Sequence, residues 1–329
     1  MPSSEGRPRL PCRTWLFVNA ASALTDATRR RDGTVNRALL DFFDRRTPPN
    51  PTPLHGVSTS DHTLDPSRPL SVRLFAPHSH PSSDTHALCR RLARRIPARV
   101  VSVDYRRAPE HPFPAPYDDG ADVLRWIRSG ALPDSDPSAP LFLAGDSAGG
   151  NIAHHVARRS SSSPSPSPPE AEAEAVAGLV AIQPFFGGEE ATGSEERLWD
   201  KVAFGSRERF EWMWRSFLPP GSNRDHPAAN VFGPGPGPGS RSGSEDWTGF
   251  PSTMVCVGGW DPLQDRQRMY AEGLRNAGVE TRLAEYPDAI HGFFAFPELP
   301  EARRFVDDVA DFVNRTVDRI RAGPARPDA

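Results

Sequence analysis

The sequence predicts an α/β protein with a mostly parallel central sheet and helices on both of its faces. Short apolar runs alternate with segments of helical periodicity over most of the 329 residues, as in parallel strands joined by helical crossovers. One apolar run, residues 141–144, leads directly into the turn 145–150, and a helical segment follows at once. The carboxyl ends of parallel strands meet at one edge of a sheet, where functional groups collect. This turn is therefore the first candidate for a functional site.

The chain begins with two predicted helices. Residues 12–28 form the first, and the apolar face from Val35 to Phe43 forms the second, which ends before Pro48. These helices either cover a site or pack on the surface of the domain. A signal peptide is the alternative for the first helix, but its apolar run is interrupted by Asn19 and is short for such a segment. An amphipathic helix is the favoured interpretation.

Three strands and two helices are predicted before the turn. Alternating apolar residues indicate a pair of antiparallel strands, and four prolines within 106–117 indicate a loop. The expected elements are strands at 57–64, 70–75 and 99–105, a helix that begins at its candidate N-cap Asp84, and a helix at 118–129.

Beyond the turn, apolar runs and helical periodicity continue to alternate. Residues 160–175 and 233–246 are of low complexity and are expected to form solvated loops. An aromatic-rich segment at 197–218 is expected to be helical in two pieces. The other expected elements are strands at 176–182, 253–257 and 280–286 and helices at 264–277 and 301–320.

Composition excludes several classes of function. The 39 basic and 42 acidic residues are interspersed and leave a net charge of -3, so no nucleic-acid-binding surface is indicated. The cysteines Cys12, Cys89 and Cys256 are odd in number and far apart, which predicts a reducing compartment, the cytoplasm, with the nucleus as a further location. No stretch approaches the roughly 20 apolar residues that span a bilayer. No cofactor or metal site is recognisable, and the oligomeric state stays open.

The turn itself predicts a serine nucleophile. In the run from Gly145 to Gly149, the two glycines are expected to avoid clashes in a tight bend, and Ser147 stands at its tip. The N-terminus of the following helix directs partial positive charge towards an oxyanion formed there. Gly-x-Ser-x-Gly also arises by chance in a chain rich in serine and glycine, and an ordinary turn is then the alternative. The flanking strand and helix favour the nucleophile.

Two later strands end at residues that could activate Ser147. A serine hydroxyl is a poor nucleophile at neutral pH, so it needs a base, and the base needs an orienting acid. Asp261 and His291 each follow a predicted strand, in the chain order Ser, Asp, His that is typical of such sites. Asp265 and Asp288 are the alternative acids, and helix capping is the other role for either.

The chain resembles a known family in five motifs. They are residues 105–111 (Tyr-Arg-Arg-Ala-Pro-Glu-His), 113–115 (Phe-Pro-Ala), 145–151 (Gly-Asp-Ser-Ala-Gly-Gly-Asn), 260–263 (Trp-Asp-Pro-Leu) and 291–293 (His-Gly-Phe). They are similar to those of plant carboxylesterases of the hormone-sensitive-lipase-like α/β-hydrolase group, whose relatives include the gibberellin receptors. The resemblance implies a single α/β-hydrolase domain over residues 1–329, with N-terminal cap helices within 1–50 and a cap-type helical insertion at 197–218.

The resemblance also implies an activity. It implies hydrolysis of a small-molecule ester through an acyl-enzyme, with Ser147 as the nucleophile, His291 as base and then acid, and Asp261 holding the imidazole. The backbone N–H of Ala148 is the implied oxyanion donor. Within the segment 197–218, Trp212, Trp214 and Phe217 either line an acyl pocket or pack in the core, and core packing is favoured.

One family feature has no counterpart in this chain. Between the strand at 70–75 and the next helix the family has a further strand and a His-Gly-Gly-Gly loop, whereas this chain has only residues 76–83 and contains no His-Gly-Gly. We therefore expect one central strand to be missing, so that the strands at 99–105 and 141–145 either pair directly or leave a gap. Loss of the loop also predicts weak activity, since removing one oxyanion donor costs roughly 10²–10³ in kcat.

Two other interpretations stay open. The chain could be a non-catalytic small-molecule (hormone-like) binding protein, of the gibberellin-receptor type or an inactive relative. The resemblance implies that such receptors keep the loop and lack the histidine, whereas this chain has His291 and lacks the loop, which argues against a receptor. The third interpretation is a shortened version of a normal esterase, because residues 77–84 resemble the join left by an excision.

Overall fold

The computed structural model describes residues 8–30, 32–43, 47–77, 88–136, 138–162, 175–202, 206–233 and 246–323. In these ranges the helices are α1 (Cys12–Thr28), α2 (Arg37–Phe43), α3 (Leu88–Arg95), α4 (Ala115–Arg128), α5 (Ala148–Ser162), α6 (Gly193–Leu198), α7 (Arg207–Phe217), α8 (Gln264–Asn276) and α9 (Pro300–Ala322). The strands are β1 (Val57–Asp65), β2 (Leu70–Pro77), β3 (Val100–Asp104), β4 (Phe142–Asp146), β5 (Gly178–Ile182), β6 (Ser252–Trp260) and β7 (Thr281–Ile290). A short 3₁₀ helix, Phe293–Ala295, follows β7.

The strands form two sheets. β1, β2 and β3 form an antiparallel sheet, and β4 to β7 form a parallel sheet in the order β4-β5-β6-β7. Among the described residues no strand lies between β3 and β4, and the two are not hydrogen-bonded neighbours. Of the two expected outcomes, a gap is therefore present and direct pairing is wrong. The strand and loop are expected to be missing at residues 76–83. Most of this segment lies outside the described residues, because residues 78–87 are not described.

Helices hold the two sheets together across this gap. In α4, Val123 packs on the antiparallel sheet, whereas the next residue, Leu124, packs with Val156 of α5 and the side chains that flank β4. On the opposite face, Val100 of β3 and Phe142 of β4 both pack against one core cluster that includes α3. Side-chain packing therefore connects the two sheets, although β3 and β4 share no ladder of hydrogen bonds within the described residues.

β5, an inner strand of the parallel sheet, is buried on both faces, as predicted, whereas Ala144 of β4 is exposed. Along β5, Val180 and Ile182 face a cluster that contains the apolar stripe of α9, whereas Leu179 and Ala181 face a cluster that contains α8. All four side chains are at most 2% exposed. This pattern explains why β5 is a continuous apolar run, since successive side chains of a strand point to opposite faces and both faces are covered.

Several element boundaries differ from those expected. α4 begins at Ala115, within the expected loop, because Pro116 lies in its first turn, where a missing N–H breaks no intrahelical bond. α5 continues to Ser162, so the expected loop at 160–175 begins in a helix. The remainder of that loop, 163–174, and residues 234–245 of the second loop lie outside the described residues.

The helical insertion and the last strand also differ from expectation. α6 begins before residue 197, because Thr192 and Glu195 form a capping box that starts the helix. β7 continues past residue 286 to Ile290 despite Pro287. β7 lies at the edge of its sheet and pairs irregularly with β6, and a proline in such a place interrupts no central ladder.

α1 connects two distant parts of the chain. Near its beginning, Thr14 Oγ1 donates to Glu298 Oε1 at 2.6 Å. Near its end, the guanidinium of Arg209 in α7 pairs with Asp26 at 2.5 Å and donates to Ser22 Oγ at 2.8 Å. α1 thus extends from the segment after β7 to α7. None of the helices in the described ranges combines the length and apolarity needed to cross a membrane.

Candidate active site

Ser147 lies in the turn between β4 and α5 in a strained conformation. Its φ of +51° is in the left-handed region, which costs a residue with a side chain roughly 1–3 kcal/mol. The backbone N–H of Ser147 donates to the carbonyl oxygen of Ile182, and its own carbonyl oxygen accepts from the N–H of Phe185, both at 2.9 Å. The chain on either side of the end of β5 therefore holds the strained serine in place.

Two glycines make the turn possible, and one of them is not the expected one. A Cβ at Gly145 would lie 2.1 Å from the carbonyl oxygen of Gly149, so no side chain fits there. A Cβ at Gly150 would lie 3.0 Å from Gly145 O and from Pro184 Cα. At Gly149 a Cβ would meet no atom of the described residues within 4 Å. Among these residues the prediction that Gly149 avoids a clash is therefore wrong, and the close approach falls one residue later.

Asp261 and His291 meet at the carboxyl edge of the parallel sheet. They directly follow Trp260 of β6 and Ile290 of β7, which are paired in the strand register. His291 Nδ1 lies 2.8 Å from Asp261 Oδ2. Asp261 is fully buried, and the His291 side chain is 18% exposed. Because Nδ1 donates its proton to the carboxylate, Nε2 is the nitrogen that can accept another.

The pKa of His291 reflects two opposing effects. Burial alone would lower it, because a desolvated imidazolium is unfavourable. The charge and hydrogen bond of Asp261, with a smaller contribution from the charge of Asp146, outweigh burial and raise the pKa of His291 above its usual 6.5. Asp146 precedes Ser147, so the histidine lies within electrostatic range of the serine turn. Within the described residues, no hydrogen bond joins Ser147 Oγ to His291, a common state for sites without substrate.

The alternative acids are placed elsewhere. Asp265 Oδ2 accepts from the N–H of Ser194 at 2.7 Å, and Asp265 Oδ1 lies 3.3 Å from the guanidinium of Arg268. Asp288 is exposed on β7. In the described part of the chain neither carboxylate hydrogen-bonds to His291. The geometry favours Asp261 as the partner of the histidine.

Two glutamines next to Asp261 were not predicted from the sequence. The side-chain amides of Gln183 and Gln267 donate to Asp261 Oδ2 at 3.0 and 2.8 Å, and the N–H of Leu263 donates to Oδ1 at 3.0 Å. Gln183 directly follows β5, just as Asp261 and His291 follow β6 and β7. The rule that selected the acid and the base, a polar residue at the end of a buried parallel strand, would also have selected Gln183.

Two other aromatic side chains, those of Trp214 and His154, lie in the core. Trp214 is 4% exposed and stacks on Phe185 with ring centroids 4.5 Å apart, so the prediction of core packing is confirmed for this residue. His154 is buried and its Nδ1 lies 2.8 Å from the Tyr270 hydroxyl, and burial lowers its pKa well below the usual range. Over the described ranges no three His, Cys, Asp or Glu side chains are grouped in a way that suits a metal ion.

Comparisons with known proteins agree with this architecture. A family model described as alpha/beta hydrolase fold matches residues 75–295. Gibberellin receptor GID1C of Arabidopsis thaliana is 37% identical over 346 aligned positions, which cover 94% of this chain and 96% of the receptor. The 3-O-acetylpapaveroxine carboxylesterase CXE1 of Papaver somniferum is 30% identical, with 83% of this chain and 93% of that enzyme covered.

Carboxylesterase 20 of Arabidopsis thaliana is 31% identical and covers 76% of this chain and 83% of its own length. Among solved structures, the esterase LipW of Mycobacterium marinum superimposes with a TM-score of 0.64 at 26% identity, covering 95% of this chain and 93% of that one. The relatives of this chain thus include both receptors and carboxylesterases, and the chain belongs to the α/β-hydrolase fold family.

Proposed function

We propose that this protein is a serine carboxylesterase that hydrolyses small-molecule esters through an acyl-enzyme. The observation that carries the proposal is the partly buried Asp261–His291 hydrogen bond of 2.8 Å at the sheet edge where Ser147 is held at a φ of +51°. A nucleophile turn, a base and an orienting acid are the groups that acyl transfer needs. The charge of Asp146 contributes to the raised pKa of His291, which supports the nearness of the histidine to the serine turn.

The reaction uses these groups in two steps. His291 Nε2 takes the hydroxyl proton of Ser147 as Oγ attacks the acyl carbon, and then gives that proton to the departing alcohol. A water molecule next attacks the acyl-enzyme, His291 takes a proton from it, and the acid leaves as Ser147 regains its proton. Asp261 keeps Nδ1 protonated throughout and stabilises the imidazolium that forms in each step.

The oxyanion is the weak point of the proposed mechanism. Ala148 is the first residue of α5, so its N–H and the helix dipole suit a negative oxygen at that position. The His-Gly-Gly-Gly loop that the resemblance implies is absent from the sequence. Because the removal of one oxyanion donor costs roughly 10²–10³ in kcat, slow turnover is expected.

A small-molecule binding protein without turnover is the second candidate. Its support is the similarity to a gibberellin receptor, which reaches 37% identity over 94% of this chain, against 31% over 76% for carboxylesterase 20. The ligand in that case is a small apolar carboxylic acid. The Asp261–His291 pair has no evident purpose in a protein that only binds, and this favours the esterase.

Labelling by a fluorophosphonate tests the proposal on the full chain. Wild-type protein is expected to be labelled and to hydrolyse p-nitrophenyl acetate slowly, whereas Ser147→Ala and His291→Ala are expected to lose both properties. Equal labelling of His291→Ala and wild type would show that the histidine does not activate the serine. A wild-type protein that is neither labelled nor active would refute the esterase and favour the binding protein.

A further inference from the structure

The side chain of Gln183 joins the loops that carry the proposed acid and base. Its Nε2 donates to Asp261 Oδ2 at 3.0 Å and to the carbonyl oxygen of Ile290 at 3.2 Å. Its Oε1 accepts from the N–H of Gly292 at 2.8 Å. Ile290 and Gly292 are the residues on either side of His291. One amide thus contacts the acid directly and both peptide groups that flank the base.

The orientation of this amide follows from its partners. A reversed amide would aim its oxygen at the Asp261 carboxylate and the Ile290 carbonyl, and its NH₂ at the N–H of Gly292, so every contact would be repulsive. Gln183 is 0% exposed, so water does not replace these bonds. The fit is also tight, because a Cβ at Gly258 would lie 2.5 Å from Gln183 Nε2.

The backbone at Gln183 is strained, like that of Ser147. Its φ is +44°, which only glycine and, to a lesser degree, asparagine and aspartate adopt readily. The nearby residues Ile182 and Phe185 hold the backbone of Ser147 through the two bonds of 2.9 Å. Strain persists only where surrounding structure imposes it, and it is concentrated at functional sites. The short segment 182–185 therefore contacts Ser147, Asp261 and the two residues that flank His291.

We propose that Gln183 is a positioning residue that keeps His291 in line with Asp261 and with the serine turn. The expected effect of Gln183 on the reaction rate rests on the proposed esterase function. The expected effect of Gln183 on the His291 imidazole does not, and it can be measured in protein without substrate. Gln267 offers a matched control, because it donates to the same oxygen of Asp261 and has no bond to the residues beside His291.

Three variants test this role. Gln183→Met keeps the length of the side chain and removes all three bonds, whereas Gln267→Met removes only a bond to Asp261. Gln183→Asn is one methylene too short to contact both loops, yet asparagine tolerates a positive φ, so relief of backbone strain offsets part of the cost of the lost bonds, and urea unfolding checks that the variant is folded. It separates a loss of positioning from a loss of folding.

The first measurement is the titration of His291 by NMR. The charged groups that act on His291 are Asp261 and Asp146. If Gln183 positions the imidazole, its loss separates His291 from Asp261, burial then dominates, and the pKa of His291 falls. Loss of Gln267 leaves that bond intact and removes a competing donor from Oδ2, so the pKa of His291 stays the same or rises. An unchanged pKa in Gln183→Asn, or an equal fall in Gln267→Met, would overturn the proposal.

The second measurement is the hydrolysis of p-nitrophenyl acetate. Misplacing a catalytic group by about 1 Å costs up to roughly 100-fold, so kcat is expected to fall about 10- to 100-fold in both Gln183 variants, with KM little changed. A kcat equal to wild type in Gln183→Asn would contradict the positioning role. Should Ser147→Ala keep wild-type activity, the esterase proposal fails by itself, and the His291 titration still decides the role of Gln183.

Discussion

Replacement of Asp261 by asparagine tests how the surroundings of the acid control the base. The carboxylate accepts three hydrogen bonds at Oδ2, from His291, Gln183 and Gln267, and one at Oδ1, from the N–H of Leu263. An amide that places its NH₂ at the Oδ2 position would face three donors, whereas the opposite orientation faces one. Asparagine is therefore expected to keep an oxygen towards His291.

The size of the effect follows from this orientation. The N–H of Leu263 loses its acceptor, and a buried unsatisfied group costs about 1–3 kcal/mol of unfolding free energy. His291 keeps a neutral acceptor in place of a charged one, and charge-assisted bonds are about twice as strong as neutral ones. The expected fall in kcat is about 10- to 100-fold, equivalent to about 1.4–2.7 kcal/mol. A wrong tautomer of the histidine would instead cost roughly 10⁴-fold.

Steady-state hydrolysis of p-nitrophenyl acetate and urea unfolding measure the two effects. Asp288→Asn is the matched control, since it makes the same change of charge on the exposed face of β7, and both quantities should stay at their wild-type values. A loss near 10⁴-fold in Asp261→Asn would show that the glutamines do not orient the amide. A kcat equal to that of wild type would remove Asp261 from the mechanism.

Two further predictions concern pH and the N-terminal helix. Only a neutral imidazole accepts the proton of Ser147, and the pKa of His291 is raised above 6.5. We therefore expect kcat/KM to fall as the pH decreases, with a midpoint above pH 6.5. A pH profile with its midpoint at or below 6.5 would contradict this. Arg209→Met removes the bonds to Ser22 and Asp26. This loss should lower the free energy of unfolding by about 1–3 kcal/mol and speed amide hydrogen exchange in α1 relative to β5. Equal exchange in the variant and wild type would show that this contact does not hold α1.

Local sequence patterns were sufficient to predict much of the parallel sheet. β5 and β6 are apolar runs because both faces of each strand are covered, and such runs can be recognised without knowledge of the fold. Asp261 and His291 were selected because each follows a strand, and the structure joins them by a hydrogen bond. Their catalytic roles, and that of Ser147, stay predictions.

Tertiary contacts decided what sequence patterns could not show. The close approach at Gly150 depends on Pro184, which is distant along the chain. Gln183 could have been selected by its place after β5, but the bonds of Gln183 and Gln267 to Asp261 appear only when β5, β6 and α8 are assembled. The two-sheet arrangement likewise depends on how α3 and α4 pack across the gap.

The position of the gap determines which part of the proposed mechanism it affects. Ser147, Gln183, Asp261 and His291 follow β4, β5, β6 and β7, and each of these strands is hydrogen-bonded to the next. The gap lies on the other side of β4, between β4 and β3, where the family resemblance implies the missing strand and its oxyanion loop. The groups proposed to activate the serine therefore belong to a continuous sheet, whereas the proposed oxyanion donors are reduced to the N–H of Ala148. A slow enzyme with an intact acid–base pair is what this division implies, because activation of the nucleophile and stabilisation of the oxyanion contribute separately to the rate.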